Sequence, residues 1–565
     1  MKLVIFFIFV HISILLPGYV IARNLRLLKN KPDLHLSLGY FISIVFFAAL
    51  ALTHYVFNTP PMATRVVFWI VLLVAFVLFL YQKLYIKLLE NKLLLACLIG
   101  MTLLSSAFIG LRLNGPLSYI PDPQKLPDRN YNTLSVKVLN VAQTNANDNY
   151  IPYRQAQFFI NRSNPQTDSF INEWGVNFFQ RTPLMGAVAA QYFNALADSL
   201  PISYTWSSDA RDTDFTYAKF QIIAQILNAV FIIPAFYLIM KLFDKKTAQL
   251  SMFFIVPSHF FLYNAAFTWP KSFVAFFVLL AWLLILEKKL VYVVLAGLAS
   301  GFAYLAHDLA VLYIGASLVF LLANKRWKDA FIYSGISIIP ALPWLYVSSF
   351  VFKRPSSFIY YPMSLKGIPQ LDQHGEIIQE FLKTSPLRLL AIRIESLFYL
   401  VSPYQIIYSD GGQAIGRRLW ALGLYSLPGS VGIGLIIPTF LGLFSKFRMR
   451  KDVFIFITIP LLLAVILTGW PKGLGSLHFA EALVVLLIAI ASRWLSKKKP
   501  WVAIVAYVFC AIQLLLMIGY SYRFNFATWL GAENILLCVV ILAVIMLCGI
   551  GIANTLRVNN QPSSA

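Results

Sequence analysis

Apolar runs of about twenty residues recur from one end of this chain to the other, and short clusters of lysine and arginine separate them. A run of that length crosses a bilayer as a helix, because a helix satisfies its own backbone groups where there is no water. The chain has 565 residues, of which 59% are hydrophobic and 12% charged. A typical soluble domain is roughly a quarter charged. With so little polar surface the chain cannot cover itself in water. Soluble enzymes, disordered proteins and disulfide-stapled secreted domains are excluded. The expected fold is an all-α polytopic membrane protein.

The runs predict about fifteen spans, near 3–22, 36–56, 66–82, 93–111, 217–240, 247–267, 272–286, 290–306, 309–323, 330–350, 428–445, 453–470, 479–492, 501–520 and 534–553. The run after Lys2 lacks a small-x-small cleavage site and continues through Val20 and Ala22, so it reads as a retained first span. Basic clusters follow the odd-numbered spans: Arg23 to Lys31, Lys83 to Lys92, Lys241 to Lys246, Lys288 and Lys289, Lys325 to Lys328, Lys446 to Lys451, and Arg493 to Lys499. By the positive-inside rule these ends are cytoplasmic, the N-terminus is outside and the C-terminus inside. The same placement explains the net charge of +23 without a nucleic-acid partner. Cys97, Cys510, Cys538 and Cys548 all fall in apolar segments and have no metal-ligand spacing. His11, His54 and His259 are lone histidines in or beside spans and read as packed or backbone-bonded.

Two connections are much longer than the rest, and both face outside: about Arg112 to Phe215, and about Val351 to Leu427. Long connections are usually functional. The expected organisation is 1–92 as additional N-terminal helices, 93–350 as a core containing the first outer loop 112–216, 351–427 as the second outer loop, and 428–565 as C-terminal helices. In the first loop, Tyr150 to Arg162 carries Ile151, Phe158, Phe159 and Ile160. This predicts a short helix lying on the membrane surface, with Arg154 and Arg162 turned to lipid phosphates. Arg181-Thr182-Pro183-Leu184 opens an apolar helix to Leu196. Pro183 suits its first turn, Thr182 can cap it, and a helix start beside Arg181 favours anions. In the second loop, 387–398 has helical periodicity with Arg388 and Arg393 on a polar side, which predicts an amphipathic helix at the outer interface. Pro403 and Gly411-Gly412 then mark a turn.

Four stretches carry a resemblance. Asp148, with Tyr150 two residues on, is followed by the Arg181-x-Pro-Leu step into an apolar helix. Phe243-Asp-Lys-Lys246 precedes Ser258-His259-Phe260-Phe261 and Phe267-Thr-Trp-Pro-Lys271. Gly297-Leu-Ala-Ser-Gly301 leads to His307, and Gly475-Ser-Leu-His478 leads to Glu481. Their order and spacing over 93–492 resemble the GT-C superfamily of polytopic membrane glycosyltransferases, which includes protein O-mannosyltransferases and the lipid A aminoarabinose transferase. His307 and His478 stand where that superfamily often has bases of fixed charge, and Lys271 near a place where some members carry an acid.

The resemblance implies a GT-C-like helix bundle with two large extracytoplasmic loops, in the cytoplasmic (inner) membrane. It implies a sugar donor on a polyprenyl phosphate and transfer to an envelope glycan, lipid or protein on the outer face. Such transfer needs the acceptor hydroxyl deprotonated, and Asp148 is the candidate base. The leaving phosphate needs cations or donors; Tyr150, Arg154, Arg181, Lys271, His307, Arg417, Arg418 and His478 are the candidate substrate-binding residues, with Arg393 a further outer-facing cation. No residue set favours a metal, and no cofactor is called for; a divalent metal is compatible but unsupported. A glycan polymerase or ligase uses similar substrates. A multi-pass transporter or lipid flippase is the alternative from another class, but the chain shows no internal repeat, and its ionisable residues gather at span ends.

Overall fold

The structure is a computed structural model and describes residues 2–25, 28, 31–114, 151–162, 182–198, 210–266, 268–351, 360–365, 374–402, 422–444, 450–469, 480–521 and 532–557. Among these residues every regular element is helical, and no strand is present. In chain order the helices begin with α1 (Lys2–Asn24), α2 (Pro32–Phe57), α3 (Pro61–Tyr81), α4 (Leu84–Leu89) and α5 (Lys92–Asn114). Two helices fall in the first long connection, α6 (Ile151–Asn161) and α7 (Leu184–Ala195). Then come α8 (Ala210–Ala229), α9 (Ile232–Leu242), α10 (Lys245–Ile255), α11 (His259–Ala266), α12 (Lys271–Ile285), α13 (Leu290–Ala306), α14 (Val311–Ala323), α15 (Trp327–Ile338) and α16 (Leu342–Tyr346). The second long connection holds α17 (His374–Lys383) and α18 (Pro386–Val401). The remainder is α19 (Leu427–Val431), α20 (Ile433–Phe444), α21 (Lys451–Leu467), α22 (Glu481–Leu495), α23 (Pro500–Ser521) and α24 (Ala532–Arg557).

Each predicted apolar run is helical, but fewer are whole spans than the fifteen expected. Among the described residues 6 helices are long and apolar enough to cross a membrane, or up to 8 if each of two bent pairs is one span. Part of the difference lies in runs whose apolar helices are only 10–17 residues long, such as Leu290–Ala306, and part in residues that interrupt a run without changing its hydropathy. The run 247–267 breaks between α10 and α11 at Pro257, which has no N–H to continue the ladder. The run 428–445 breaks at Gly432, whose φ of 107° a side chain would strain. The run 330–350 bends by 50° between α15 and the helical turns beginning at Leu342.

The chain divides into two compact units: Met1–Pro234 with Tyr263–Phe276 and Asn525–Ile541, and Ala235–Leu262 with Phe277–Phe524 and Leu542–Ala565. In the first, α1 and α2 cross so closely that a Cβ on Gly39 would lie 2.9 Å from the Tyr19 Cα. The Gly18 amide donates to the Ser43 hydroxyl at 2.8 Å across that crossing. These helices and α3 cradle α7, whose Tyr192 ring lies edge-on to Phe9, Phe47 and Phe68. Here α6 packs on α7 and α2, and α8 on α1, α5 and α7.

In the second unit, Gly297 and Gly301 let α13 approach α15. A Cβ at Gly297 would meet the Tyr333 carbonyl at 3.0 Å, and one at Gly301 the Ser337 carbonyl at 2.6 Å. The Gly-x-x-x-Gly stretch is thus a helix-packing device, as small residues commonly are in membranes. Trp282 stacks on Phe456 at 4.4 Å, joining α12 to α21. The basic clusters of this unit meet at one end and hold helix termini crosswise. Arg326 donates to the Ile285 carbonyl at 2.6 Å, Arg450 to the Lys241 carbonyl at 3.1 Å, and Lys451 to the Ala323 carbonyl at 2.6 Å. Lys241 pairs with Glu287, and the Arg493 guanidinium lies 5.1 Å from the Phe243 ring centroid. The termini after the fifth, seventh, ninth, eleventh and thirteenth predicted spans therefore share one end.

Candidate functional site

Of the nine residues assigned from sequence, three lie among the described residues. Arg154 is on α6, Lys271 opens α12, and His307 closes α13. Asp148, Tyr150, Arg181, Arg417, Arg418 and His478 lie outside the described residues.

The helix that follows Asp148 and Tyr150 forms as predicted, but not on a membrane surface. Nearly every α6 side chain is buried: Ile151, Tyr153, Gln155, Ala156, Gln157, Phe158 and Phe159. Its partner is α7, rich in small residues. A Cβ on Gly186 would lie 2.5 Å from the Gln155 Cβ and 3.0 Å from the Pro152 carbonyl oxygen, so the first turns of α6 and α7 lie side by side. Thr182 does not cap α7. Pro183 occupies the N-cap position, no side chain bonds the first amides, and the turn is held by the Ala187 amide donating to the Pro183 carbonyl at 2.9 Å. Arg154 is half-buried and donates to Gln157 Oε1 at 3.1 Å, while Arg162 bonds Asn58 rather than standing clear for lipid. Tyr153 reaches the Thr216 hydroxyl of α8 at 3.0 Å. The C-terminal end of α6 is gripped by α2, with Tyr55 against Phe158 and Phe159 and the His54 ring 3.2 Å from the Ile160 carbonyl oxygen.

The other end of α7 is held by α3. Arg65 Nε donates to the Asn194 carbonyl at 2.8 Å and Trp69 Nε1 to the Ala195 carbonyl at 3.0 Å, satisfying carbonyls that a helix end leaves without partners. Along the second half of α8 a polar stripe, Gln221, Gln225 and Asn228, is buried among apolar neighbours. Gln225 accepts from Ser106 at 2.8 Å, and Asn228 Oδ1 accepts from the Phe273 amide at 3.0 Å. Sequence reasoning did not single out this stripe. Its signal is three amides at helical spacing inside a membrane span, where polar side chains are costly. Lys271 is half-buried, its ammonium 5.1 Å from the Trp269 ring centroid.

In the second unit His307 and Asp308 are both buried, where α13 ends and α14 begins. His307 Nδ1 lies 2.9 Å from Asp308 Oδ1 and 3.2 Å from the Leu309 amide nitrogen. It can serve the carboxylate as a donor or the amide as an acceptor, according to where the ring proton sits. Glu481, quoted in the sequence only as the end of a motif, is a buried carboxylate opening α22 beside Tyr313. His259 binds the Gly423 carbonyl at 2.9 Å, and His11 the Thr102 hydroxyl at 3.2 Å, as expected of lone histidines in spans.

In the second connection α18 is amphipathic as predicted. Leu387, Leu390, Ile394, Leu397, Phe398 and Val401 stand exposed on it, while Ser396, Tyr399 and Leu400 are buried. Arg393, expected to meet phosphate, instead binds the Thr468 carbonyl and donates to the Pro362 carbonyl at 2.7 Å. Burial holds its guanidinium below the ordinary arginine range.

Residues 213–347 match the dolichyl-phosphate-mannose-protein mannosyltransferase family. Among curated proteins none matches the chain. The crystal structure of ArnT from Cupriavidus metallidurans in the apo state aligns over 75% of this chain and 74% of its own, with 12% identity and a TM-score of 0.41. The family match runs from the first turn of α8 to the end of α16 and takes in the helices that flank Lys271 and the Gly297/Gly301 crossing. Over residues 213–347 the chain is similar to the dolichyl-phosphate-mannose-protein mannosyltransferases, and its described residues form an all-helical polytopic fold.

Proposed function

We propose that the chain takes a sugar from a polyprenyl-phosphate carrier on the outer side of the cytoplasmic membrane and passes it to an envelope glycan, lipid or protein. The match of 213–347 to a family named for a lipid-phosphate sugar donor carries this reading. The neighbouring first turns of α6 and α7 support it, because the residues that precede them in sequence include Asp148 and Tyr150 on one side and Arg181 on the other. Asp148 is the base that takes the acceptor proton, and direct attack inverts the anomeric centre. Arg181, Lys271, His307, Arg417, Arg418 and His478 are the groups offered to the leaving phosphate, and Tyr150 and Arg154 are further candidate substrate-binding residues.

The test is incubation of purified protein in nanodiscs with a panel of labelled polyprenyl-phosphate sugars, following release of the carrier. Asp148→Asn keeps size and hydrogen bonding but removes the base. It should insert normally and lose about 10²–10⁴-fold in turnover. Near-normal turnover in Asp148→Asn would remove Asp148 from the mechanism. Absence of carrier release from any donor, with movement of a solute or lipid across a vesicle, would replace the enzyme by a transporter.

A further inference from the structure

Two turns at the basic end of the second unit lie side by side. One, 286–289, links α12 to α13, and the other, 324–326, links α14 to α15. Arg326 ties them together. Its guanidinium donates to the Ile285 carbonyl at 2.6 Å and to the Glu287 carbonyl at 3.3 Å, while its Nε holds Asp329 at 2.7 Å. The acids of both turns are thereby engaged, because Glu287 pairs with Lys241. Around this tie Lys288, Lys289, Lys325 and Lys328 stand exposed, and none of the four forms an ion pair among the described residues. Lys325 closes α14 at a left-handed φ of 59°, where glycine is the usual residue, so a charged side chain is kept there against backbone strain. Elsewhere at this end the bases are used within the protein: Arg450 and Lys451 on carbonyls, and Arg493 over the Phe243 ring.

The surroundings say what kind of anion these lysines meet. Trp327, the first residue of α15, is 66% exposed among them. An exposed indole at the start of an apolar helix marks the headgroup level of a bilayer. Below it, Trp327, Phe331 and Gly335 follow at intervals of four residues and Ile338 three further on, so they share one face of α15. Phe331 and Ile338 are exposed on that face, whereas Tyr333 and Ser337 pack against Gly297 and Gly301 of α13. Between Phe331 and Ile338 a Cβ on Gly335 would meet nothing within 4 Å. No neighbour requires this glycine, and in a helix it costs stability. It opens a notch in an apolar face directly beneath the lysines, shaped to take an acyl chain. Charge above and a notch below fit an anionic lipid, and two pairs of lysines on two turns fit two phosphates.

We infer that the paired turns and the notch beneath them seat a phospholipid with two phosphates, of the diphosphatidylglycerol class, from the leaflet at the basic end. Lys288 and Lys289 serve one phosphate, Lys325 and Lys328 the other, and Gly335 receives an acyl chain. Arg326 is the positioning residue that keeps the two turns together. This lipid is neither donor nor acceptor of the proposed sugar transfer.

The test places the protein in phosphatidylcholine vesicles with rising fractions of tetraoleoyl diphosphatidylglycerol and reads retained lipid by native mass spectrometry after extraction. A lysine near a lipid surface is worth about a fivefold change in affinity, so Lys288→Gln with Lys289→Gln should weaken retention about 30-fold, and Lys325→Gln with Lys328→Gln likewise. Gly335→Leu fills the notch and should weaken retention several-fold without lowering the thermal unfolding midpoint. Lys498→Gln with Lys499→Gln removes exposed bases from another turn of the same end and should leave retention unaltered. Equal losses in that control would reduce the effect to general surface charge and overturn the seat. Unaltered retention in either of the first two lysine pairs overturns it too, even if the Gly335 variant does not fold, and so does a folded Gly335→Leu that retains the lipid fully. Phosphatidylglycerol competing equally at the same phosphate concentration would refute the two-phosphate assignment. Displacement of the lipid by soluble polyglutamate, undiminished in Gly335→Leu, would make the turns a site for an acidic protein instead.

Discussion

The two long connections read alike in sequence and end in opposite environments. Each contains a short helix with one apolar side, α6 in the first and α18 in the second. The first buries that side against protein, and the second leaves Leu387, Leu390, Ile394 and Phe398 exposed. An amphipathic pattern says that a helix needs an apolar partner without saying which. What decides is whether a neighbour can come close enough. The first connection supplies α7, with Gly186, Ala187, Ala189 and Ala190, narrow enough for α6 to lie on its backbone. Among the described residues the second supplies no such strip to the exposed side of α18, and Arg393 holds the helix by its polar side to the Thr468 carbonyl at the end of α21. That placement leaves the apolar side uncovered among the described residues.

Three paired substitutions test the contrast, each setting a residue of the first region against one of the second. The largest effect is expected for Phe158→Ala, which empties a buried ring position on α6 and should cost about 3–5 kcal/mol of stability. Leu390→Ala on the exposed side of α18 should change stability by less than about 0.5 kcal/mol. Thermal unfolding in detergent, followed by size exclusion, measures both; equal losses would mean that α18 has a protein partner too. Next is Gly186→Leu, which drives side-chain atoms into Gln155 and the Pro152 carbonyl and should cost about 1–3 kcal/mol. Gly375→Leu on α17 meets nothing within 4 Å and should be neutral or slightly stabilising. If both tolerate leucine, α6 and α7 are not in close contact. The smallest is Arg65→Gln, which weakens the hold on the end of α7 by about 1–2 kcal/mol. Arg388→Gln, on the exposed surface of α18, is its neutral counterpart; a proteolysis assay of the first unit should rank the two in that order.

Much of the fold was legible because apolar runs and basic clusters are local properties. The run 290–306 coincides with α13, and the clusters after alternate runs in the second unit do meet at one end. The number of whole spans was not legible, since Pro257 and Gly432 break helices without lowering the hydropathy around them. Nor was the partner of α6. Its pattern fits a membrane surface or a protein groove equally, and Gly186 discriminates only once the two helices are known to touch. In the candidate site, Lys271 was singled out by chemistry and motif. Asn228 was not, because its role depends on a contact with Phe273, 45 positions away. Arg65 belongs to no motif or basic cluster, and only its bond to the Asn194 carbonyl gives it a role.

The crosswise bonds of Arg326, Arg450 and Lys451 have a consequence for how the chain is made. Positive residues at these places are the signal by which a nascent hairpin is kept from being carried across the membrane. Once the second unit is assembled, the same side chains occupy carbonyls of helices inserted earlier: Arg450 those of Lys241 and Leu242, Lys451 that of Ala323 and Arg326 that of Ile285. The address label becomes a fastener when its reading is over. A hairpin inserted upside down would carry its fasteners to the wrong side of the bilayer and leave the earlier helices with open ends.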